Sequence, residues 1–407
     1  MIVLFNLNKY VGGGEILTIR FAQYLHDHNI AYTMLAFGEN CYIADQAKAR
    51  GLNITPWPIE EDSVAYMNDA DRKDLLQKMT KIFEKEKLIY PFSFCFRDLY
   101  NSLFLFTRFT KTEVRLSTGI YHPEDVLYLS SLSLNKSKII NFNKKIIHSL
   151  AQKNAVLFPN ETALYSSLGK DVNFKPANIA LPIPMPERIP EKQLHPSAEK
   201  INIICISRFV SFKIAAILAI VRFVRHHQKF ELSIVGYGLY RFVLATYIRF
   251  HGIKNVKIYS GIGPEQLDTL VDKATIGYAQ GTSILEIAKR GLPVVIAPYS
   301  TLLDVFNKYF LCMGVFGEQN NYNFGDYISN GGKESVPIAE TILKVVADYP
   351  TYRDITIEHA KRFSADIICK QMYEYVLTSE YTNKEEPFNL PQGPFIKKVL
   401  RKILTNH

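Results

Sequence analysis

At 407 residues, 47% of them apolar and 21% charged, the chain is a folded globular protein too long for one ordinary core, so two domains are expected. Its formal charge of +9 points toward anionic partners, but no zinc finger, RNP-type aromatic strand or KH-like loop accompanies it, and nucleic acid is not an expected partner. Five cysteines, odd in number and without a CxxC pair, indicate reduced thiols in a cytoplasm and argue against a disulfide framework or a zinc site.

The opening MIVLFNLNKYVGGGE lacks a basic leader and reads as a first strand, and no stretch approaches the roughly 18 apolar residues of a membrane span. IVLFNL (2–7) is a buried-strand run, EILTIRFAQYLHDHN (15–29) has helical apolar spacing, and AYTMLAF (31–37) returns as a strand. KLIYPFSF, EVRLSTGI and AVLFPN continue the same sheet. From residue 182 five prolines fall within nineteen residues without periodicity, so a linker is expected over 183–199. Beyond it the alternation restarts with INIICISRF, AAILAIVRFVRHH, FELSIVGYG and RFVLATYIRFHG, and runs on through VKIYSG, EQLDTLVDKA, TIGYA, SILEIAKRG and LPVVIAP. The expectation is an α/β protein of two doubly wound domains, 1–182 and 200–375, whose ligands bind at the carboxyl ends of parallel strands; a tail, 376–407, follows.

Four stretches could carry chemistry. In VGGGEI, Gly13 and Gly14 allow close backbone approach and the next helix offers free N–H groups, although the same glycines would also serve a plain tight turn. Neither GxGxxG nor GxxxxGK[ST] is present. In SRFVSFK, Arg208 and Lys213 follow a strand, where two cations could neutralise a diphosphate leaving group or simply face solvent. IVGYG ends in a Gly-x-Gly turn containing Gly236, but a third fingerprint glycine would fall on Arg241, which excludes a dehydrogenase. In YAQGTSILEIAKRGLPVVIAP, Gly281, Thr282 and Ser283 start a helix suited to a phosphate or to ordinary capping, and Glu286 lies in its first turn.

Taken in order, these stretches resemble the retaining, nucleotide-sugar-dependent glycosyltransferases of the GT-B fold, glycosyltransferase family 4-like, which build bacterial surface polysaccharides such as lipopolysaccharide, capsule and O-antigen. The resemblance implies two Rossmann-like domains facing across a cleft. It also implies an enzyme of hexosyltransferase type moving a sugar from a UDP- or GDP-linked donor to a glycan or lipid-linked acceptor, without a metal or other cofactor. Arg208 and Lys213 would hold the diphosphate, Glu286 the ribose, and the backbone at 281–283 the phosphates. Gly13, Gly14 and Gly236 would lie close to the donor. His122, in STGIYHPED, takes the functional histidine's place near the transfer site, with Glu15, Glu124 and Asp125 as candidate acceptor contacts. The family pairs two glutamates eight positions apart. Here Glu286 matches the second and Tyr278 stands where the first would be, as a candidate donor contact by hydrogen bonding.

The tail segment PFIKKVLRKILTNH has the pattern of a basic amphipathic helix, and SLFLFTRFTK (102–111) and KSKIINFNKKIIHSL (136–150) add Phe, Ile and Lys. These three segments suggest peripheral attachment to the anionic inner face of the cytoplasmic membrane. The rival readings are a catalytically inactive GT-B scaffold of a polysaccharide assembly and a nucleotide-sugar epimerase.

Overall fold

The computed structural model describes residues 1–8, 13–38, 41–121, 125–130, 135–159, 161–169, 177–180, 182–183, 185–186, 189–190, 200–299, 311–318, 325 and 335–389. Two compact units divide the chain: Met1–Pro182 with Ala365–His407, and Ile183–Ser364.

The first unit runs β1 (Ile2–Asn6), α1 (Gly13–Asp27), β2 (Tyr32–Ala36), α2 (Tyr42–Arg50), β3 (Ile54–Pro56) and α3 (Asp69–Ile82). It continues through β4 (Leu88–Ser93), α4 (Phe96–Phe106), β5 (Glu113–Val114), β6 (Ser117–Gly119), α5 (Lys136–Gln152), β7 (Val156–Phe158), α6 (Glu161–Leu168) and β8 (Ala177–Asn178). The strands lie parallel in the order β3-β2-β1-β4-β6-β7-β8, with β5 also beside β4. Every residue of β1 and β2 is buried. A parallel sheet is covered on both faces, which is why these strands read as unbroken apolar runs.

α4 turns Leu99, Tyr100, Leu103, Leu105 and Phe106 into the core, and α5 contributes Ile146, Ile147 and Leu150 while Lys136, Lys138 and Lys145 stay outside. The apolar residues of 102–111 and 136–150 are therefore core-facing, a correction to their expected place on a membrane-facing surface. Amphipathic periodicity reports an inside and an outside but not what lies on the inside. The basic tail segment 394–407 lies outside the described residues.

The second unit runs β9 (Ile201–Ile206), α7 (Ser211–His226), β10 (Phe230–Val235), α8 (Arg241–Phe250), β11 (Val256–Tyr259) and α9 (Pro264–Lys273). Next come β12 (Ile276–Ala279), α10 (Thr282–Ala288), β13 (Val294–Ile296), the antiparallel pair β14 (Leu311–Cys312) and β15 (Val336–Pro337), α11 (Ile338–Ala347) and α12 (Tyr349–Lys361). Its main sheet is parallel, in the order β11-β10-β9-β12-β13. The chain moves outward from β9 to β11 and then resumes on the other side of β9. That reversal opens a crevice at the carboxyl ends of β9 and β12, the topological switch point where open α/β sheets bind ligands.

The domain limit at the second crossing differs from expectation. The last helix, α13 (Ala365–Leu377), belongs to the first unit and not to a domain ending at 375: it packs on α1, and the Tyr375 hydroxyl donates to the Val156 carbonyl (2.8 Å) on β7. Its apolar face of Ile368, Cys369, Met372 and Val376 is covered there, a partnership local composition cannot register. The proline-rich stretch is anchored where it is described. Ile183 is buried and its N–H donates to the Phe363 carbonyl (2.7 Å), while Arg353 Nη2 donates to the Pro190 carbonyl (3.0 Å). No helix among the described residues is long and apolar enough to cross a membrane.

Candidate functional site

β9 delivers the chain to the switch point, and Ser207–Val210 carries it into α7. Arg208 is exposed on this loop, and Lys213 lies in the first turn of α7, half-buried. The Lys213 ammonium sits 5.9 Å from the Phe212 ring and 5.8 Å from the Tyr299 ring, and the two rings pack 5.8 Å apart. Burial, with the like charge of Arg208 nearby, pushes Lys213 down to about 8, only slightly countered by Cys205. Among the described residues no carboxylate pairs with Lys213, and such a lysine gains when an anion arrives, which is what a diphosphate site requires.

The loop after β10 is stitched to the loop after β9. The Ser207 N–H donates to the Val235 carbonyl (3.0 Å) and the Phe209 N–H to the Tyr237 carbonyl (2.8 Å). A Cβ on Gly236 would stand 1.8 Å from the Ser207 carbonyl oxygen, and one on Gly238, at φ +138°, 2.5 Å from that of Phe209. Gly236, expected close to the donor, is thus required by the approach of one loop to another. It sets the position of the segment bearing Arg208.

Next to β9, β12 ends at Ala279 and α10 begins at Thr282, so the turn between them is Gln280 and Gly281 alone. Gly281 is the N-cap residue at φ +63°, ψ −145°, and neither Thr282 nor Ser283 caps the helix with its side chain. Tyr278 lies inside β12, in register with Cys205 of β9 and Val295 of β13, and is 0% exposed. Its hydroxyl donates to the Ala216 carbonyl of α7 (3.2 Å), and burial pushes the phenol well above its ordinary value. The expectation that Tyr278 touches the donor is corrected: it is a core residue. Counting eight positions back from Glu286 lands inside the sheet because the turn is so short.

The turn residue that sequence reading passed over is Gln280. It is 2% exposed, and its Oε1 has no hydrogen-bond partner among the described residues. A long amide between two strands' ends, in a turn otherwise of Gly and hydroxyl residues, was the available signal. Phe212 and Tyr299 were missed as well, since aromatic residues beside a strand end look like core in sequence.

Glu286 falls in the second turn of α10 and not its first. Its carboxylate meets Lys289 Nζ at 2.6 Å and Arg290 Nη1 at 3.8 Å, pairs one helical turn further on that fix its orientation. Arg290 also binds Asp268 on α9. Gly291, at φ +77°, closes α10 before β13, with its N–H on the Ala288 carbonyl (2.9 Å), which accounts for the Gly-Leu-Pro break.

In the first unit the chain order reverses between β1 and β4, giving that sheet its own switch point. Gly13 and Gly14 open α1 there, and a Cβ on either would meet nothing within 4 Å. Glu15 is buried, with its carboxylate taking the Asn8 amide, so the expectation of an acceptor contact gives way to a part in holding the β1–α1 turn. Alongside it, Arg97 donates to Asp98 (3.1 Å) and Asp62 (3.1 Å), and the Leu7 N–H reaches Asp98 (3.5 Å). His122 and Glu124 lie outside the described residues, while Asp125 starts a short 3-10 turn. Among the described residues no group of three or more His, Cys, Asp or Glu could hold a metal ion.

Each unit is thus a doubly wound parallel sheet with its polar loops at a switch point. Solved structures matching over nearly the whole chain settle what this arrangement is. Anabaena Alr3699/HepE, in complex with UDP and glucose, superposes with a TM-score of 0.62 at 15% identity over 92% of this chain and 99% of its own. The chain has the GT-B fold. The lipopolysaccharide outer core galactosyltransferase WaaB matches this GT-B chain with a TM-score of 0.60 at 13% identity over 93% of this chain and 99% of its own. The pneumococcal O-GlcNAc transferase GtfA, in complex with UDP and GlcNAc, gives 0.55 at 10% over 92% and 98%. No protein-family model matches the sequence, and no curated protein matches it.

Proposed function

We propose that the protein is a glycosyltransferase that moves a sugar from a nucleotide-sugar donor, UDP- or GDP-linked, to a glycan or lipid-linked acceptor in bacterial surface polysaccharide synthesis. The observation that carries this reading is the placing of Arg208 and the half-buried Lys213 at the carboxyl end of β9, beside the β12–α10 turn. When the anomeric C–O bond breaks, its electron pair goes to the β-phosphate oxygen, and these two cations take up the charge. They supply positive charge that other transferases draw from a metal, so a metal-independent reaction is part of the proposal.

In this reading, backbone N–H groups at 281–283 support the phosphates and Glu286 accepts from the ribose hydroxyls, pre-oriented by Lys289 and Arg290. The acceptor would bind the first unit, with Gly13 and Gly14 near the donor and His122 near the transfer site. Retention of configuration, hexose as the sugar, and work at the inner face of the cytoplasmic membrane complete the proposal. The UDP complexes of HepE and GtfA favour UDP as the carrier.

Thermal unfolding against UDP, GDP, CMP and ADP tests it. A nucleotide at 100 times its dissociation constant should stabilise the native state by about 2.7 kcal/mol. Selective stabilisation by one diphosphate, lost in Lys213→Ala, supports the transferase. The short β12–α10 turn, which carries no carboxylate, favours one other reading, a non-catalytic scaffold. Nucleotide binding without sugar transfer to any lipid-linked acceptor would decide for it.

A further inference from the structure

The core accounts for most of the second unit's apolar residues, but α8 is an exception. Its inner side buries Leu244, whereas Phe242 and Phe250 stand 70% and 83% exposed on the opposite face. Phe242, Thr246, Arg249 and Phe250 follow i, i+4, i+7 and i+8, so they share one outward stripe. Just before the helix, the tight β10–α8 loop presents Tyr237 at 58% and Leu239 at 88%. Four large apolar side chains exposed within fourteen residues are more than scattered surface residues amount to.

The charge around this stripe has a single sign. Between Ile201 and Pro264 the only acidic residue is Glu231, against nine lysines and arginines. Glu231 lies on β10 near Lys200 (3.8 Å), at the start of the strand, away from the loop that leads into α8. Arg241 and Arg249 are exposed on α8 itself, and Lys254 is exposed just beyond it. Beside the helix, against the edge strand β11, is an open depression of about 470 Å³. Arg241, Arg249 and Lys254 stand at it, with Ile248, Ile253 and Ile258, and among the described residues no carboxylate lines it.

We propose that α8 and the loop before it form a docking surface for an anionic lipid bilayer, with Leu239, Phe242 and Phe250 entering the acyl boundary and the depression taking a lipid phosphate. This deepens the membrane part of the proposed function and moves it to a different surface: the segments 102–111 and 136–150 spend their apolar residues on the core, whereas α8 does not. The charge matches an anionic headgroup layer, and apolar groups ringed by arginines match the depth profile of an interface. Single-stranded nucleic acid would use the same arginines and phenylalanines, but the most exposed of the large apolar side chains, Leu239, has no stacking face for a base.

The test is co-sedimentation of the full chain with vesicles of phosphatidylglycerol and phosphatidylcholine in equal parts, and with phosphatidylcholine alone. Binding is expected to the first mixture and to fall steeply as salt is raised. Arg241→Gln with Arg249→Gln should lower the partition coefficient on the order of thirtyfold, since each cation contributes about a factor of five at an anionic surface. Phe242→Ser with Phe250→Ser should lower it comparably, whereas Lys138→Gln with Lys145→Gln on α5 should leave it unchanged. In Phe242→Trp, the added fluorescence should shift blue on vesicles and be quenched by brominated lipid, a readout independent of the loss-of-binding variants.

Absence of binding to anionic vesicles, full binding by both α8 variants (attachment then lying elsewhere, as in the basic tail), or preference for a single-stranded oligonucleotide over vesicles would each overturn the inference. UDP titration in the same preparations separates the two proposals. Vesicle binding without UDP binding would retain the docking surface and remove the transferase, and the reverse result would do the opposite.

Discussion

Lys213 and Tyr278 show how differently two polar side chains near one strand end can be used. Lys213 is buried beside the like charge of Arg208 and held at about 8, below its unfolded value of 10.5. The unfolded chain therefore binds the extra proton between these two values. The penalty on the native state is full below pH 8 and is relieved as pH rises toward 10.5. Lys213→Met should accordingly raise apo stability at pH 7 by about 2 kcal/mol, allowing for partial solvent access, as read by denaturant titration. It should abolish stabilisation by UDP. In the wild type, UDP affinity should weaken as pH is raised past 8, because binding must then recover a proton. Tyr278→Phe makes the contrast. It removes one buried hydrogen bond, should cost about 1 kcal/mol, and should leave the UDP dissociation constant unchanged.

At the scale of elements, the glycines divide by what their missing Cβ would meet. Gly236→Ala drives a methyl into the Ser207 carbonyl and must part the two loops at the switch point. A destabilisation of about 1–3 kcal/mol is expected, with weaker UDP binding because the Arg208 loop moves with it. Gly14→Ala meets nothing within 4 Å at the start of α1, and its stability should change by less than about 1 kcal/mol. If UDP binding nevertheless weakens in Gly14→Ala, the glycine serves the donor rather than the turn. Both measurements are a melting curve and a UDP titration on the same samples.

The strand and helix order was legible in sequence because period-2 and period-3.6 patterns are local: IVLFNL and INIICISRF contain β1 and β9, although each strand ends earlier than the run read for it. The switch-point cations were legible too, since a residue just after a parallel strand is at the carboxyl edge whatever the fold does elsewhere. The eight-residue spacing to Tyr278 was misleading for the opposite reason. A count along the chain assumes a fixed turn length, and here β12 runs through the counted position.

For the whole molecule, the return of the chain to its first unit is the feature with the clearest consequence. α13 covers α1, Tyr375 binds β7, and Tyr381 is buried among the first unit's core residues. A chain ending at Ser364 should lose the first unit's cooperative unfolding while the Ile183–Ser364 unit retains its own. Hydrogen exchange would show this as lost protection in β1, β4 and β7 with β9, β10 and β12 unaffected. Equal loss in both units would mean that the C-terminal segment supports the entire chain.

By itself the sequence determined the class of the protein: two parallel α/β units, with cations waiting at the end of β9. Those properties depend on runs and periods of neighbouring residues, which fold the same way in many contexts. Only the tertiary structure decided that Tyr278 is core, that Gln280 is buried with its Oε1 unpartnered among the described residues, that α13 crosses back, and that α8 keeps its phenylalanines outside. Each of these depends on which distant surface covers a side chain. Coverage is a property of packing in three dimensions, and no local pattern encodes it.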